Sequence, residues 1–261
     1  MFFDTHAHFD AFTDPADARA AMTRAEAAGV LRILAVGGSP ESSHAALHAA
    51  AEWPGRVVAA LGYDRDQADT SPSLAMLESE LAQPAVVGLG EIGLDYHYQP
   101  ETAPAQRALF AAQLELARRR KLPAIVHSRE ADADTIALLQ EHASAWPGDP
   151  ARIGVLHCFT GTAEFAARLL DLGLMISFSG ILTFRNAEPL REVARTVPAD
   201  RLLIETDTPF LAPVPHRGKR NEPAWLVPVA EELAKIRNDT LAHIAHSTTA
   251  NAERLFLGKT P

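Results

Sequence analysis

The chain has 261 residues, of which 47% are hydrophobic and 22% charged; this composition suits a large core and excludes a typical disordered chain. Its net charge of −9 excludes the broad electrostatic attraction that drives non-specific binding to duplex DNA. The single cysteine, Cys158, excludes an intrachain disulfide. Because the N-terminus has no secretory-signal pattern and no apolar run approaches the roughly 20 residues of a membrane span, we expect a cytoplasmic protein without membrane association.

Short β-branched runs alternate with longer Ala- and Leu-rich segments along the chain. We predict strands at residues 2–6, 31–36, 57–61, 86–90, 124–127, 154–157, 174–178 and 202–205. Helical patterns lie at residues 15–28, 41–53, 73–81, 104–120, 131–143, 163–171, 188–195, 225–236 and 239–256. This alternation is typical of βαβ units, and it predicts a single-domain α/β protein, a (β/α)8 TIM barrel over residues 1–261. The alternative is an open doubly wound sheet, but strand one is not followed by a G-x-G-x-x-G motif.

Residue types that bind metals fall at the ends of the predicted strands, where barrel enzymes carry their chemistry. There are six of them: His6, His8, Glu91, His127, His157 and Asp207. Strand alternation points His6 and His8 to the same face. Any one of the six alone would be an ordinary surface or core residue. Together, at a barrel mouth, their burial without a partner would be very costly, so we predict a metal centre.

Six ligands exceed the three that one open catalytic ion needs, which predicts two divalent ions about 3.5–4 Å apart. Glu91, the only carboxylate among the middle strands, is the predicted bridge between an ion at the first-strand histidines and an ion at His127 and His157. The imidazoles favour Zn or Mn, whereas phosphoryl chemistry often uses Mg, so the metal stays open among these three. Asp207 contacts the first ion and is the predicted catalytic base, accepting a proton from a metal-acidified water.

A second group of side chains predicts phosphate binding near the strand ends. It consists of Arg129, His216, Arg217 and Lys219. The alternative is that the loop after strand eight is only solvated. Tyr96, Phe159 and Phe184 are candidate platforms on which bases could stack. Strand alternation predicts that Cys158 points away from the site and is not a nucleophile.

Seven motifs, at residues 4–8, 90–96, 125–131, 157–161, 205–211, 215–223 and 249–256, follow one another along nearly the whole chain. Together they resemble the TatD family of metal-dependent deoxyribonucleases, a branch of the amidohydrolase-like barrels. The resemblance implies a TIM barrel, a divalent-metal centre at the six residues, and hydrolysis of DNA, in some members as a 3′–5′ exonuclease. It also suggests that Glu205 lies behind the metal ligands rather than among them.

One turn departs from the family pattern. Relatives commonly carry Gly-x-His-Pro after strand three, whereas this chain has Gly62, Tyr63, Asp64 and Arg65. A carboxylate therefore stands where an imidazole is usual, on a loop that faces the metal end of the barrel. We expect this change to alter substrate preference.

The sequence thus predicts a metal-dependent hydrolase that acts as a deoxyribonuclease in DNA catabolism, with DNA held locally at the barrel mouth. A first alternative is a hydrolase of a small-molecule amide, ester or phosphoester, because a fold does not fix its function. Amide-cleaving relatives bridge their metals with a modified Lys, and Glu91 at that place favours the nuclease. A second alternative is a non-enzymatic metal-binding scaffold, which an open barrel mouth disfavours. No obligate protein partner is predicted.

Overall fold

The strands of the computed structural model, which describes residues 1–259, form one parallel sheet in the order β1 to β8. They are β1 (Phe2–Ala7), β2 (Val30–Val36), β3 (Val57–Leu61), β4 (Val86–Asp95), β5 (Ala124–Arg129), β6 (Gly154–Leu156), β7 (Met175–Phe178) and β8 (Leu202–Ile204). The sheet closes where Ala7 forms a parallel bridge with Thr208, just after β8. The predicted TIM barrel is therefore confirmed. The last two residues of the predicted domain, 260 and 261, lie outside the described residues.

Helices follow the strands around the outside of the barrel. Within residues 1–259 they are α1 (Pro15–Ala27), α2 (Pro40–Glu52), α3 (Leu74–Glu80), α4 (Ala103–Arg120), α5 (Asp132–Ser144), α6 (Ala163–Asp171), α7 (Glu188–Thr196), α8 (Leu226–Arg237) and α9 (Leu241–Leu257). Several begin at the caps that the sequence supplies, such as Asp14 for α1 and Ser39 for α2, whose side chains accept backbone N–H groups. Across this part of the chain, none of the helices is long and apolar enough to cross a membrane.

The lower end of the barrel is filled by the last helix. Leu255 and Phe256 of α9 pack against inward-facing strand residues such as Phe3 and Leu34 in a buried cluster. The rings of Phe3 and Phe256 lie 6.2 Å apart. Because side chains fill this end, the barrel formed by residues 1–259 opens at the carboxyl ends of the strands, where the predicted site residues lie.

The fourth strand is longer than predicted and ends at Asp95 instead of Gly90. Its extension pairs with β5, where Gly93 comes so close that a Cβ would lie 2.0 Å from the carbonyl oxygen of His127. Gly93 also has φ of 142°, so glycine here permits close strand contact and does not end the strand. Glu91 consequently stands within a strand rather than after one.

Candidate metal centre

One side of the centre is built from the first and last strands. His6 and His8 aim their Nε2 atoms at a common point, 3.1 Å apart. Oε2 of Glu91 lies 3.5 Å from Nε2 of His6 and 3.7 Å from Nε2 of His8. Oδ1 of Asp207 lies 4.0 Å and 3.7 Å from the same two nitrogens. We call these donors the first donor set.

The other side uses the second oxygen of the same carboxylate. Oε1 of Glu91 lies 3.4 Å from Nδ1 of His127 and 3.4 Å from Nε2 of His157. We call these atoms the second donor set. Glu91, only 4% exposed, therefore presents one oxygen to each set. The structure brings together all six residues that the sequence singled out as metal ligands.

The imidazoles are oriented by groups behind them. Nε2 of His127 lies 3.2 Å from Oδ2 of Asp95, and Nδ1 of His157 lies 3.3 Å from Oε1 of Glu205. Oε1 of Glu205 also accepts the backbone N–H of Cys158 at 2.7 Å. A carboxylate behind a histidine fixes its tautomer and directs its free nitrogen, which is the arrangement common at metal sites.

The donor chemistry fits divalent metal. In the first donor set, the ligand atoms of His6, His8 and Asp207 lie within 4.8 Å of one another, and in the second those of Glu91, His127 and His157 do so. Nε2 of His157 is buried and has no hydrogen-bond partner among the described residues, so the site leaves a desolvated nitrogen for an ion to satisfy. Mixed imidazole and carboxylate donors suit divalent metal ions.

The protonation of the histidines follows from burial and from the carboxylates. Burial lowers the pKa of His8 to about 4 and also lowers the pKa of His6, so both rings are neutral, as metal ligation requires. His157 differs. Although burial disfavours its charged form, Glu91 and Glu205 raise its pKa well above the usual range. A metal ion at the second donor set would therefore replace a proton on His157.

Asp207 and Cys158 both have left-handed backbone conformations, with φ of 57° and 44°. Non-glycine residues in this region are uncommon and cluster at functional sites. Burial raises the pKa of Asp207 to about 8, against an opposing effect of His157. The prediction that Cys158 points away is wrong: β6 ends at Leu156, so strand alternation no longer applies, and Cys158 lines the cavity. Burial raises the pKa of its thiol well above the usual range, which disfavours a nucleophilic thiolate.

Two residues of the centre were not found by sequence reasoning. Nη1 of Arg65 donates to Oε1 of Glu91 at 2.6 Å, and Asp95 holds His127 as described. Asp95 lies inside the quoted motif at residues 90–96, and a longer fourth strand would have placed it on the same face as Glu91. Asp64 lines the same cavity, where burial, and then Glu91, raise its pKa to about 7.

The donor sets lie at the bottom of a cavity of about 850 Å³ at the barrel mouth. A neighbouring cavity of about 1030 Å³ shares Ser128, Arg129 and Thr160 with it but contains none of the six predicted metal ligands among its described lining residues. We therefore place the chemistry in the smaller cavity. Arg129, predicted to bind phosphate, lines both cavities.

The other predicted phosphate-binding residues have different surroundings. The ring of His216 stacks on Trp225 with centroids 4.0 Å apart, and the guanidinium of Arg217 lies 3.7 Å from the centroid of Phe184. Lys219 is exposed. Among the described residues that line the cavity of the metal centre, none of these three is included. Their role in substrate binding stays a prediction.

The aromatic residues at the mouth are not those expected. Phe159 is only 1% exposed within the core, so its predicted role as a stacking platform is wrong. Tyr96 is partly buried and donates its hydroxyl to Asp134. Instead, Tyr98 and Phe210 line the cavity with exposed fractions of 66% and 58%. These two residues were not predicted because both lie in loops without a periodic pattern.

Comparison with known proteins supports the resemblance noted from the motifs. The profile of the family described as TatD related DNase matches residues 3–257. The uncharacterized metal-dependent hydrolase YabD of Bacillus subtilis (strain 168) is 41% identical over 258 residues, covering 98% of this chain and 99% of that protein. The 3′-5′ ssDNA/RNA exonuclease TatD of Edwardsiella piscicida is 39% identical over 242 residues, 90% of this chain and 91% of that protein.

A solved structure gives the same result for the fold. The crystal structure of YjjV, a TatD homologue from Escherichia coli K12, superposes with a TM-score of 0.89 at 33% identity. The match covers 100% of this chain and 98% of that one. Sequence and architecture therefore agree from the first strand to the last helix.

Proposed function

The chain belongs to the family of TatD-related DNases and is a metal-dependent hydrolase, and on this premise we propose that it cleaves DNA phosphodiester bonds from the 3′ end. The observation that carries the proposal is that the two carboxylate oxygens of Glu91 face two separate donor sets. A carboxylate shared in this way would help to hold two divalent ions, which would stabilise the charge on a phosphate undergoing substitution.

Two divalent ions, when bound, would supply the positive charge that polarises a phosphoryl oxygen and acidifies water. The first ion would be held by His6, His8, Asp207 and Oε2 of Glu91, and the second by His127, His157 and Oε1 of Glu91.

The protein's own side chains take the proton and orient the metal-binding imidazoles. Asp207 accepts the proton of the attacking water at a carboxylate oxygen. Asp95 and Glu205 keep the free nitrogens of His127 and His157 aimed at the centre. Because α9 fills the lower end of the barrel, the cavity at the mouth is the route by which substrate and water would reach these groups.

The mouth suits a single-stranded end. Tyr98 and Phe210 are exposed aromatic rings on which unpaired bases can stack, and the guanidinium of Arg129 lies 4.7 Å from the centroid of Tyr98, in a position to pair with a phosphate. With a net charge of −9, the protein would hold DNA locally at such groups rather than over a broad surface. The named activity of the Edwardsiella relative on single-stranded DNA and RNA supports this substrate class. We also propose a cytoplasmic location, since one unpaired cysteine suits a reducing compartment.

The test is an assay with single- and double-stranded oligonucleotides labelled at either end, in Mg²⁺, Mn²⁺ or Zn²⁺. We expect metal-dependent shortening from the 3′ end of single strands, and a loss of about 10²- to 10⁴-fold in kcat in Asp207→Asn. Asp10→Asn, an equal change of charge at an exposed residue lining the same cavity, is the matched control. Absence of cleavage with all three metals, or undiminished cleavage by Asp207→Asn, would contradict the proposal.

A further inference from the structure

Arg65 contacts the proposed bridging carboxylate at the oxygen that belongs to the second donor set. Its Nη1 lies 2.6 Å from Oε1 of Glu91, the same oxygen that lies 3.4 Å from His127 and 3.4 Å from His157. Oε2 of Glu91 faces the first donor set. The two sides of the centre are thus unequal, because the protein's own cation is bound at one of them.

The position of Arg65 is fixed by the turn that departs from the family pattern. It begins a short 3₁₀ helix, Arg65–Thr70, whose N-cap is Asp64, and the Asp64 side chain accepts the N–H of Asp66. Asp64 in turn packs closely on Gly38, where a Cβ would lie 2.8 Å from Oδ2 of Asp64. The Arg65 side chain is 22% exposed, so water screens it only in part. This turn therefore directs a guanidinium to Glu91.

Resting on the two-ion centre proposed above, we propose that Arg65 competes with the second metal ion for Oε1 of Glu91, which makes the two ion sites unequal in affinity. An ion at the second donor set would lie about 2.0–2.2 Å from that oxygen. With Nη1 at 2.6 Å from it, the two positive centres would be no more than about 5 Å apart. Even with the screening of bulk water, this repulsion weakens ion binding by about tenfold.

Arg65 has other partners available when an ion takes its place. Its Nε lies 3.9 Å from Oδ1 of Asp66, and the cavity that it lines is the one into which a substrate phosphate would enter. A phosphate that binds Arg65 removes it from Glu91. By linkage, the substrate and the second ion then strengthen each other's binding. The second site fills readily only when a phosphodiester is present.

The test is calorimetric titration of the metal-free full-length protein with Mn²⁺, with bound ions counted by elemental analysis. The variants are Arg65→Met and Arg65→Gln, which remove the charge, and Arg65→Lys, which keeps it. Arg129→Met is the matched control, because it removes an equal charge from the same cavity without contacting Glu91. We expect wild type to bind one ion tightly and a second weakly, and both neutral variants to bind the second at least about tenfold more tightly. Arg65→Lys and Arg129→Met should stay within about threefold of wild type.

A second titration adds a phosphorothioate single-stranded oligonucleotide that resists cleavage. The oligonucleotide should tighten binding of the second ion to the wild-type protein but not to Arg65→Met. Equal second-ion affinity in wild type and both neutral variants would overturn the inference, and so would an equal gain in Arg129→Met, which would reflect net charge alone. If none of the proteins bound any ion, the proposed metal-dependent function would fail instead, so the two failures are distinguishable.

Discussion

His142 makes the stability of this protein sensitive to acid at a place remote in sequence from the metal ligands. It lies in α5, is fully buried, and packs beside Trp146 with ring centroids 5.2 Å apart. Burial lowers its pKa from 6.5 to about 4, and the guanidinium of Arg118, with Nη1 3.5 Å from Nδ1 of the ring, adds to the effect. The folded protein therefore keeps this imidazole neutral at pH values where the unfolded chain takes up a proton.

The sign and size follow from these two pKa values. Above about pH 6.5 the ring is neutral in both states and has no effect on the pH dependence of unfolding. As the pH falls from 6.5 to 4, the unfolded state binds the proton first, and each pH unit removes about 1.4 kcal/mol of unfolding free energy. The loss reaches about 3 kcal/mol at pH 4 and does not grow further below it.

The assay is urea unfolding followed by circular dichroism, at pH values from 8 to 4, for wild type and His142→Gln. Glutamine cannot take up the proton. Because both proteins have the same metal centre, the titration of that centre cancels when their unfolding free energies are subtracted. We expect a constant difference in unfolding free energy above pH 7, then a shift of about 3 kcal/mol in favour of the variant by pH 4. Parallel curves over the whole range would refute the assignment of the buried neutral ring.

Two other predictions concern the centre and its mouth. Asp95→Asn should weaken binding of the second ion by about 10- to 100-fold and leave binding of the first unchanged, because Asp95 orients only His127 of the donor sets. Calorimetric titration measures the two affinities, and an equal loss of affinity for both ions would argue against this role. Tyr98→Ala and Phe210→Ala should each cost about 1–3 kcal/mol in binding of a single-stranded oligonucleotide. Fluorescence anisotropy in an Asp207→Asn background measures this, and unchanged affinity in both variants would rule out base stacking at the mouth.

The order of the elements could be read from the sequence because burial in a parallel barrel leaves a strong pattern. Strands buried on both faces become short apolar runs, and the helices between them keep long Ala- and Leu-rich segments. Strand ends were harder to predict. The predicted fourth strand stopped at Gly90, whereas the structure continues it to Asp95 and uses Gly93 for close contact with β5.

The ligand types of the site could be predicted because polar residues at the ends of buried strands are costly unless they have a function. The groups around the ligands were less visible. Arg65 reaches Glu91 from a loop, and sequence alone does not say where a long flexible side chain points. Cys158 was misplaced because strand alternation was applied past the end of β6, at a residue with left-handed backbone.

The closure of the barrel also sets the order in which the centre can be completed during synthesis. The backbone N–H of Asp207 donates to the carbonyl of His6 at 3.0 Å, so the first donor set joins the two ends of the sheet. A ribosome adding about 5–20 residues per second releases Asp207 roughly 10–40 s after His6. Until then the first donor set lacks the carboxylate of Asp207 and consists only of His6, His8 and Glu91. The first donor set is therefore complete only after the chain has been made past β8, so the site that joins the two ends of the sheet is also the later of the two to form.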